Sequence, residues 1–231
     1  MQAGTAVGNL AGVIGVRPEE AAIVEQLQAG SEEAFAWLIA RYQQPLYSLI
    51  YRILPNPGDA ADTTQEVFVK VFRGISRFHG EASLRTWIYR IALHEALNQR
   101  RWWSRHQRRE VTMDAESDDA QGSSVESLPD PQESPFDAAA HAEIAARVES
   151  ALREVPEPFR TVVVLRDIEG FGYEEIAEIL NANLGTVKSR LMRGRAHLKS
   201  RLAPFVEAAR RRPSHSSPTS VPHACSAEEA V

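Results

Sequence analysis

The chain has 231 residues, 43% hydrophobic and 25% charged, which is ordinary for a soluble globular protein and enough for one large domain or two small ones. Its single cysteine, Cys225, lies in a polar tail, which excludes an intrachain disulfide and a cysteine-based zinc framework, and no apolar run reaches the ~20 residues of a membrane span. The formal net charge of -5 would argue against a nucleic-acid partner only if the charge were evenly spread.

It is not evenly spread. Residues 84–109 hold Arg85, Arg90, Arg100, Arg101, Arg105, Arg108 and Arg109 against one acid, Glu95. Residues 186–212 hold Lys188, Arg190, Arg193, Arg195, Lys199, Arg201 and Arg210 to Arg212 against Glu207. Between the two basic blocks, residues 110–149 are strongly acidic, with Asp114, Glu116, Asp118, Asp119 and Asp130 among them. Any one such run is most simply a solvated face; two basic blocks around an acidic one suggest two nucleic-acid surfaces. Residues 1–16 lack the basic start of a signal peptide, so a cytoplasmic location and no direct membrane insertion are expected.

Helical spacing dominates, and no alternating strand of useful length occurs. Residues 18–29 form a first candidate helix, stopped by Gly30. Ser31 is placed to cap the next, with Glu32 and Glu33 in its first turn, where negative charge suits the helix dipole. Phe35, Leu38, Ile39, Tyr42, Leu46, Ile50 and Ile53 make its apolar stripe, which Pro45 is expected to kink or divide. After the turn residues at 55–58, Asp59 or Asp62 starts a helix carrying Val67, Phe68, Val71, Phe72 and Ile75. Ser83 then caps a helix with Leu84, Trp87, Ile88, Ile91 and Leu97 inward.

Residues ~110–135 lose this periodicity and read as a flexible linker, too polar to offset their ordering entropy. Ile144, Val148, Leu152 and Val155 restore the pattern, and Pro158 opens a helix with Phe159, Val162, Val163 and Ile168 that Gly170 ends. The tail beyond Pro204 is expected to be disordered. The predicted fold is all-α: two small helical domains at 18–108 and 138–204, an acidic linker at 109–137, and a tail at 205–231.

The strongest local signal spans 172–193: a short helix with Ile176, Ala177, Ile179 and Leu180 inward, an Asn-rich turn, and a second helix with Val187, Leu191, Leu198 and Leu202 inward. Asn181–Asn183 suit a turn, because Asn tolerates left-handed conformations, and Gly194 allows close packing. Thr186, Lys188, Ser189, Arg190, Met192 and Arg193 cluster at the start of the second helix, where a recognition helix reaches base edges. The bland alternative is an amphipathic hairpin with a solvated basic face.

A second signal interleaves aromatics with arginines along residues 86–105, the pattern of a surface that stacks unpaired bases while holding their phosphates. Trp87 is better explained by core packing. For Tyr89, Trp102 and Trp103 either role stays open.

These segments resemble a known family. Asp59-Ala-Ala-Asp-Thr-Thr-Gln-Glu-Val-Phe-Val-Lys-Val-Phe-Arg is similar to the polymerase-binding segment of sigma-70-type factors, and Thr86-Trp-Ile-Tyr-Arg-Ile-Ala to the adjoining promoter-melting segment. Leu152-Arg-Glu-Val-Pro-Glu-Pro-Phe-Arg through Gly185-Thr-Val-Lys-Ser-Arg-Leu resembles the C-terminal promoter-reading domain. The ordered resemblance runs from about residue 33 to residue 202, and the short linker points to the extracytoplasmic-function group. It implies a factor that docks on core RNA polymerase and gives it promoter specificity. Asp62, Gln65, Glu66, Val69 and Lys70 would face the polymerase, while Phe68 and Phe72 serve the core. Tyr89, His94, Glu95, Asn98, Arg100 and Arg101 would meet the upstream-of-start element once the duplex opens. Thr186, Lys188, Ser189, Arg190, Met192 and Arg193 would read the more distant element as duplex. An anti-sigma factor is a further implied partner.

No catalytic residue, metal site or cofactor is expected. The seven histidines are scattered, and His94-Glu95-Ala96-Leu97-Asn98 misses the zinc-protease pattern because Asn98 stands where a second histidine is required. Neither a glycine-rich phosphate loop nor a nucleophile elbow is present. The rival reading, a free-standing helix-turn-helix regulator, leaves residues 33–103 without a task.

Overall fold

The computed structural model describes residues 18–54, 56–110 and 135–211, and among these every regular element is helical. Of the expected linker at 109–137, residues 111–134 lie outside the described residues, as does the end of the tail at 212–231; the linker's two ends belong instead to the flanking helices, which reach Glu110 and begin at Pro135.

Helix α1 (Pro18–Gln28) ends at Gly30, whose φ of +79° is the left-handed conformation that glycine adopts without strain. Helix α2 (Glu32–Tyr51) begins as expected: the Ser31 hydroxyl accepts the Ala34 N–H at 3.2 Å. It then runs through Pro45 without dividing, sacrificing only the bond that a proline cannot donate. Helix α3 (Pro57–Gly74) starts ahead of both expected aspartates. The Asn56 side chain accepts from the N–H groups of Gly58 (2.7 Å) and Asp59 (3.3 Å), with Pro57 at the first helical position.

A short 3-10 turn (Ile75–Arg77) leads to helix α4 (Leu84–Glu110). Two groups cap α4: the Ser83 hydroxyl takes the Thr86 N–H at 3.0 Å, and the Glu20 carboxylate from α1 takes the Leu84 N–H at 3.3 Å. Gln28 ties α1 to the far side of the same unit, donating to the carbonyls of Ile75 (3.2 Å) and Phe78 (2.8 Å). Helices α2, α3 and α4 pack around Leu38, Leu46, Leu49, Ile50, Val67, Val71 and Ile88, all wholly buried.

The second half comprises α5 (Pro135–Glu154), α6 (Glu157–Val163), α7 (Tyr173–Ile179) and α8 (Leu184–Arg211). The last turn after α6 widens into a π turn (Val164–Ile168), where the Glu169 N–H reaches back to the Val164 carbonyl, and Gly170 (φ +75°) ends it. Ile168, at the end of this turn, stands outward at 45% exposure, while Val162 and Val163 of the same apolar set are buried. Ile144 also departs from expectation: it lies on the outer face of α5, and the buried stripe begins later, with Ala151, Leu152 and Val155. Helix α8 continues through Pro204 to Arg211, so the tail does not begin where the proline predicts.

Helices α5, α6 and α7 all pack on α8. At the α6–α8 crossing the backbones meet at Gly194, where a Cβ would lie 2.5 Å from Val163 Cγ2 and 2.9 Å from the Phe159 carbonyl oxygen. The two halves are not separate in this structure. Helix α7 also packs against α4, and one continuous apolar cluster spans both.

Candidate nucleic-acid interface

On α3, Thr63, Thr64, Val67 and Val71 turn inward, which leaves Asp62, Gln65, Glu66 and Val69 exposed on the opposite face at helical spacing. Lys70 sits at the edge of that face. Phe72 belongs to the exposed face and not to the core expected of it. It is 60% exposed, resting one side of its ring on Phe35 at 4.8 Å between centroids, whereas Phe68 is partly buried against the core. Three- and four-residue steps from Asp62 through Gln65 and Val69 reach Phe72, so the spacing carried the signal; its apolar character pointed the other way. Trp37 (46%) and Ile39 (41%) add exposed apolar surface on α2.

Between α3 and α4 lies an open groove of about 600 Å³, lined by Asp62, Glu66, Glu95, Asn98, Arg101 and Trp102 among others. Glu95 is fixed within it, pairing with Lys70 Nζ at 2.5 Å. Burial pushes the Glu95 carboxyl up, but the hydrogen bonds and charges of Lys70 and His94 together outweigh it and hold it below the usual carboxylate value. Asn98 Nδ2 lies 3.1 Å from His94 Nδ1, on the exposed side of the same helix. Trp102, 44% exposed, lines the groove and stacks on His106 with centroids 4.0 Å apart. Amides, guanidinium groups and an exposed indole around one groove can hydrogen-bond a base edge, hold its phosphate and stack its face.

Two of the six residues expected here face elsewhere. Tyr89 is 1% exposed; its hydroxyl donates to Glu169 Oε2 at 2.5 Å and its ring meets Phe171 edge-on at 4.7 Å. Burial, with the neighbouring carboxylate, pushes its phenol far above the ordinary value. Arg100 turns to Glu157 of α6 at 2.8 Å. Both lie on the stripe of α4 that the second half covers, which within-helix periodicity could not reveal. Conversely, Gln99 and Arg105 line the groove without having been singled out.

The helix-turn-helix forms as the sequence predicts. Asn181 takes a φ of +46° in the turn, and the Asn183 side chain caps α8 by accepting the Thr186 N–H at 2.7 Å. Glu175 closes the start of α7, taking the Gly172 N–H at 2.7 Å. Val187 and Leu191 are buried, so Lys188, Met192 (68% exposed) and Arg193 project outward, with Thr186, Ser189 and Arg190 half-buried beside them. Further along, Arg195 is held by Asp167 at 2.5 Å and Arg201 by Glu154 at 2.9 Å, which keeps those cations on the domain. At the helix start, the part that can enter a major groove, no salt bridge among the described residues holds Lys188 or Arg193; each lies 5.9 Å from an aromatic ring, Tyr173 and Phe159 respectively. Among the described residues no cluster of His, Cys, Asp or Glu could hold a metal ion, and no helix is long and apolar enough to cross a membrane.

Two family models match the chain: sigma-70 region 2 over residues 38–109 and sigma-70 region 4 over residues 141–198. The chain is 34% identical over 187 residues to the RNA polymerase sigma-H factor of Pseudomonas aeruginosa, covering 81% of this chain and 95% of that one. It is 32% identical over 188 residues to the ECF RNA polymerase sigma-E factor of Escherichia coli K12, covering 80% and 94%. Among solved structures, the fold is similar to the Bartonella quintana sigma factor RpoE in complex with the anti-sigma factor NepR (TM-score 0.57, 23% identity, 73% and 96% covered). It is also similar to CnrH in complex with the cytosolic domain of CnrY (TM-score 0.53, 24% identity, 81% and 96% covered).

Proposed function

Since the chain belongs to the sigma-70 family of RNA polymerase sigma factors, in its extracytoplasmic-function group, we propose how its surfaces divide the work of transcription initiation. As a sigma factor it binds core RNA polymerase and directs promoter recognition. The exposed face of α3, with Asp62, Gln65, Glu66, Val69 and Phe72, docks on the polymerase; Lys70 acts at its edge through Glu95. The α3–α4 groove, with Glu95, Asn98, Arg101 and Trp102 and with His94 beside it, receives an extruded base of the opened element. Extrusion costs a few kcal/mol, which stacking and hydrogen bonds in the groove offset. Lys188, Met192 and Arg193, flanked by Thr186, Ser189 and Arg190, read the distant element as duplex.

The observation that carries this division is the presence of two separate surfaces: an exposed α3 face beside a mixed polar-aromatic groove, and exposed cations at the start of α8. In domain terms, residues 18–108 serve docking and melting, and residues 138–204 serve the distant element. This division needs no reaction of the chain's own: it works as a binding factor in the cytoplasm. An anti-sigma factor is a proposed partner, because sigma factors of similar fold have been solved with one. A free-standing regulator would use only the second half and leaves the region 2 match without a purpose. Transcription in vitro with purified core polymerase tests the reading. Promoter-specific transcripts and core binding are expected; tight promoter binding by the chain alone without core binding would overturn it.

A further inference from the structure

Phe159 belongs to none of the surfaces assigned above, yet its ring lies against the reading helix. It is the third residue of α6, half-buried, with a backbone held on both sides. Its N–H donates to the Pro156 carbonyl at 3.0 Å. Its own carbonyl oxygen faces Gly194 of α8 so closely that a Cβ there would lie 2.9 Å away. With only hydrogen at position 194, α6 comes near enough for the Phe159 ring to meet the neighbouring turns of α8. His197 stacks on that ring, with centroids 5.9 Å apart and planes inclined by 17°. The Arg193 guanidinium lies over the same ring, 5.9 Å from its centroid. Arg193 and His197 are four residues apart and share one face of the helix.

The cations of α8 are thus held in two different ways. Arg195 and Arg201 are tied to the carboxylates of Asp167 and Glu154, which occupy guanidinium N–H groups. A ring attracts a guanidinium through the face of its π-system and takes none of the in-plane donors. Arg193, held by a ring, keeps its donor fork for another acceptor. Guanine offers such an acceptor pair in the major groove, O6 and N7. A fork whose direction is fixed beforehand loses less side-chain entropy on meeting it.

We propose that Phe159 is a positioning residue for promoter reading: its ring sets the direction of the Arg193 guanidinium and sharpens discrimination at the base that Arg193 meets. The proposal rests on the assignment of the start of α8 to the distant element. Phe159 acts through Arg193 and needs no contact with DNA of its own. His197 steadies the ring from the following turn. The effect is modest, because a cation over a ring at a solvent-exposed site changes an equilibrium by a factor of about two to five. It is felt where orientation matters, on the matched base.

The test uses the full chain reconstituted with core polymerase. It compares binding to the selected promoter duplex with binding to duplexes carrying each single-base change in the distant element. Phe159→Leu removes the ring and keeps an apolar side chain on α6; Phe159→Tyr keeps the ring. Expected for Phe159→Leu is a loss of about two- to fivefold on the selected promoter. Duplexes changed at the base Arg193 reads should lose less, so preference at that one position falls, and Phe159→Tyr should preserve it. In an Arg193→Ala background, Phe159→Leu should change nothing further, since the ring then has no guanidinium to direct. If Phe159→Leu loses its helical circular dichroism, pentafluorophenylalanine in place of Phe159 carries the test. It keeps the ring's shape and reverses the charge distribution that attracts a cation, so the same loss of preference is expected. Unchanged binding, or equal losses on selected and changed duplexes, would overturn the positioning role, as would a loss that persists undiminished in the Arg193→Ala background. If Arg193→Ala itself leaves every base preference intact, the assignment of the α8 start to the distant element fails, and the positioning role falls with it.

Discussion

Gly194 offers a substitution whose sign can be worked out in advance. Alanine favours a helix over glycine by about 1 kcal/mol, so propensity alone makes Gly194→Ala stabilising. The added Cβ, however, would lie 2.5 Å from Val163 Cγ2 and 2.9 Å from the Phe159 carbonyl oxygen. Val163 is 1% exposed and β-branched on a helix, so its methyl has little freedom to rotate away, and a carbonyl oxygen moves only with its backbone. Helices α6 and α8 must separate, and overpacking of this kind costs about 1–3 kcal/mol. With one contact near 2.5 Å and the other to backbone, the upper part of that range applies. The net expectation is a loss of about 1–2 kcal/mol. Gly185, in the first turn of the same helix, is the internal comparison: its Cβ would meet only the Asn183 side chain at 3.4 Å, ordinary contact. Gly185→Ala should be neutral or stabilising by up to about 1 kcal/mol. Urea denaturation followed by circular dichroism measures both. Equal shifts for the two variants, or a Gly194→Ala protein at least as stable as wild type, would refute the packing argument.

Arg193→Ala should weaken binding to the distant element by about 1–3 kcal/mol if the contact is to a base, and an unchanged affinity for the selected promoter would contradict its assignment. Gln65→Ala should impair core polymerase association, measured by co-elution or anisotropy, while leaving stability within about 0.5 kcal/mol, as for other exposed positions. Glu95 releases its proton more readily folded than unfolded. Its pairing therefore adds stability that is complete above the ordinary carboxylate value and is lost as pH falls through the lower folded value. Lys70→Met should move the Glu95 titration upward in carboxyl-carbon NMR; a fixed titration would mean that Lys70 does not hold it. Tyr89→Phe removes a hydrogen bond to a charged acceptor and should cost about 1.5–3 kcal/mol in denaturant unfolding, and no cost would mean that Tyr89 and Glu169 do not meet in solution.

The sequence made local structure readable wherever the cause is local. Ser31 and Ser83 cap because a hydroxyl reaches an N–H within one turn, and Gly30, Gly170 and Asn181 mark left-handed residues because few side chains tolerate that conformation. Start signals also compete locally: Asn56-Pro57 outdoes Asp59 and Asp62 by pairing a cap with a helix-ready proline. What stayed hidden depends on which element covers a face. Periodicity shows that Phe72, Ile144 and Ile168 are apolar, not that each stands on an uncovered side. Likewise the interleaved aromatics and arginines of α4 look uniform along the chain. Only packing separates Tyr89 and Arg100, turned to the second half, from Trp102 and Arg101 at the groove.

The family match begins at residue 38, within α2, yet the first half does not begin there as a physical object. Val24 and Leu27 of α1 are 2% and 1% exposed, Gln28 satisfies the carbonyls of Ile75 and Phe78, and Glu20 supplies a cap for α4. A fragment cut at residue 38 would uncover the apolar surface that Val24 and Leu27 bury, leave two carbonyls without their amide donor, and weaken the start of the helix that lines the α3–α4 groove. The unit that must fold is thus longer than the span the region 2 model matches. Any excised first half meant to keep its fold has to carry the residues from Pro18 onward.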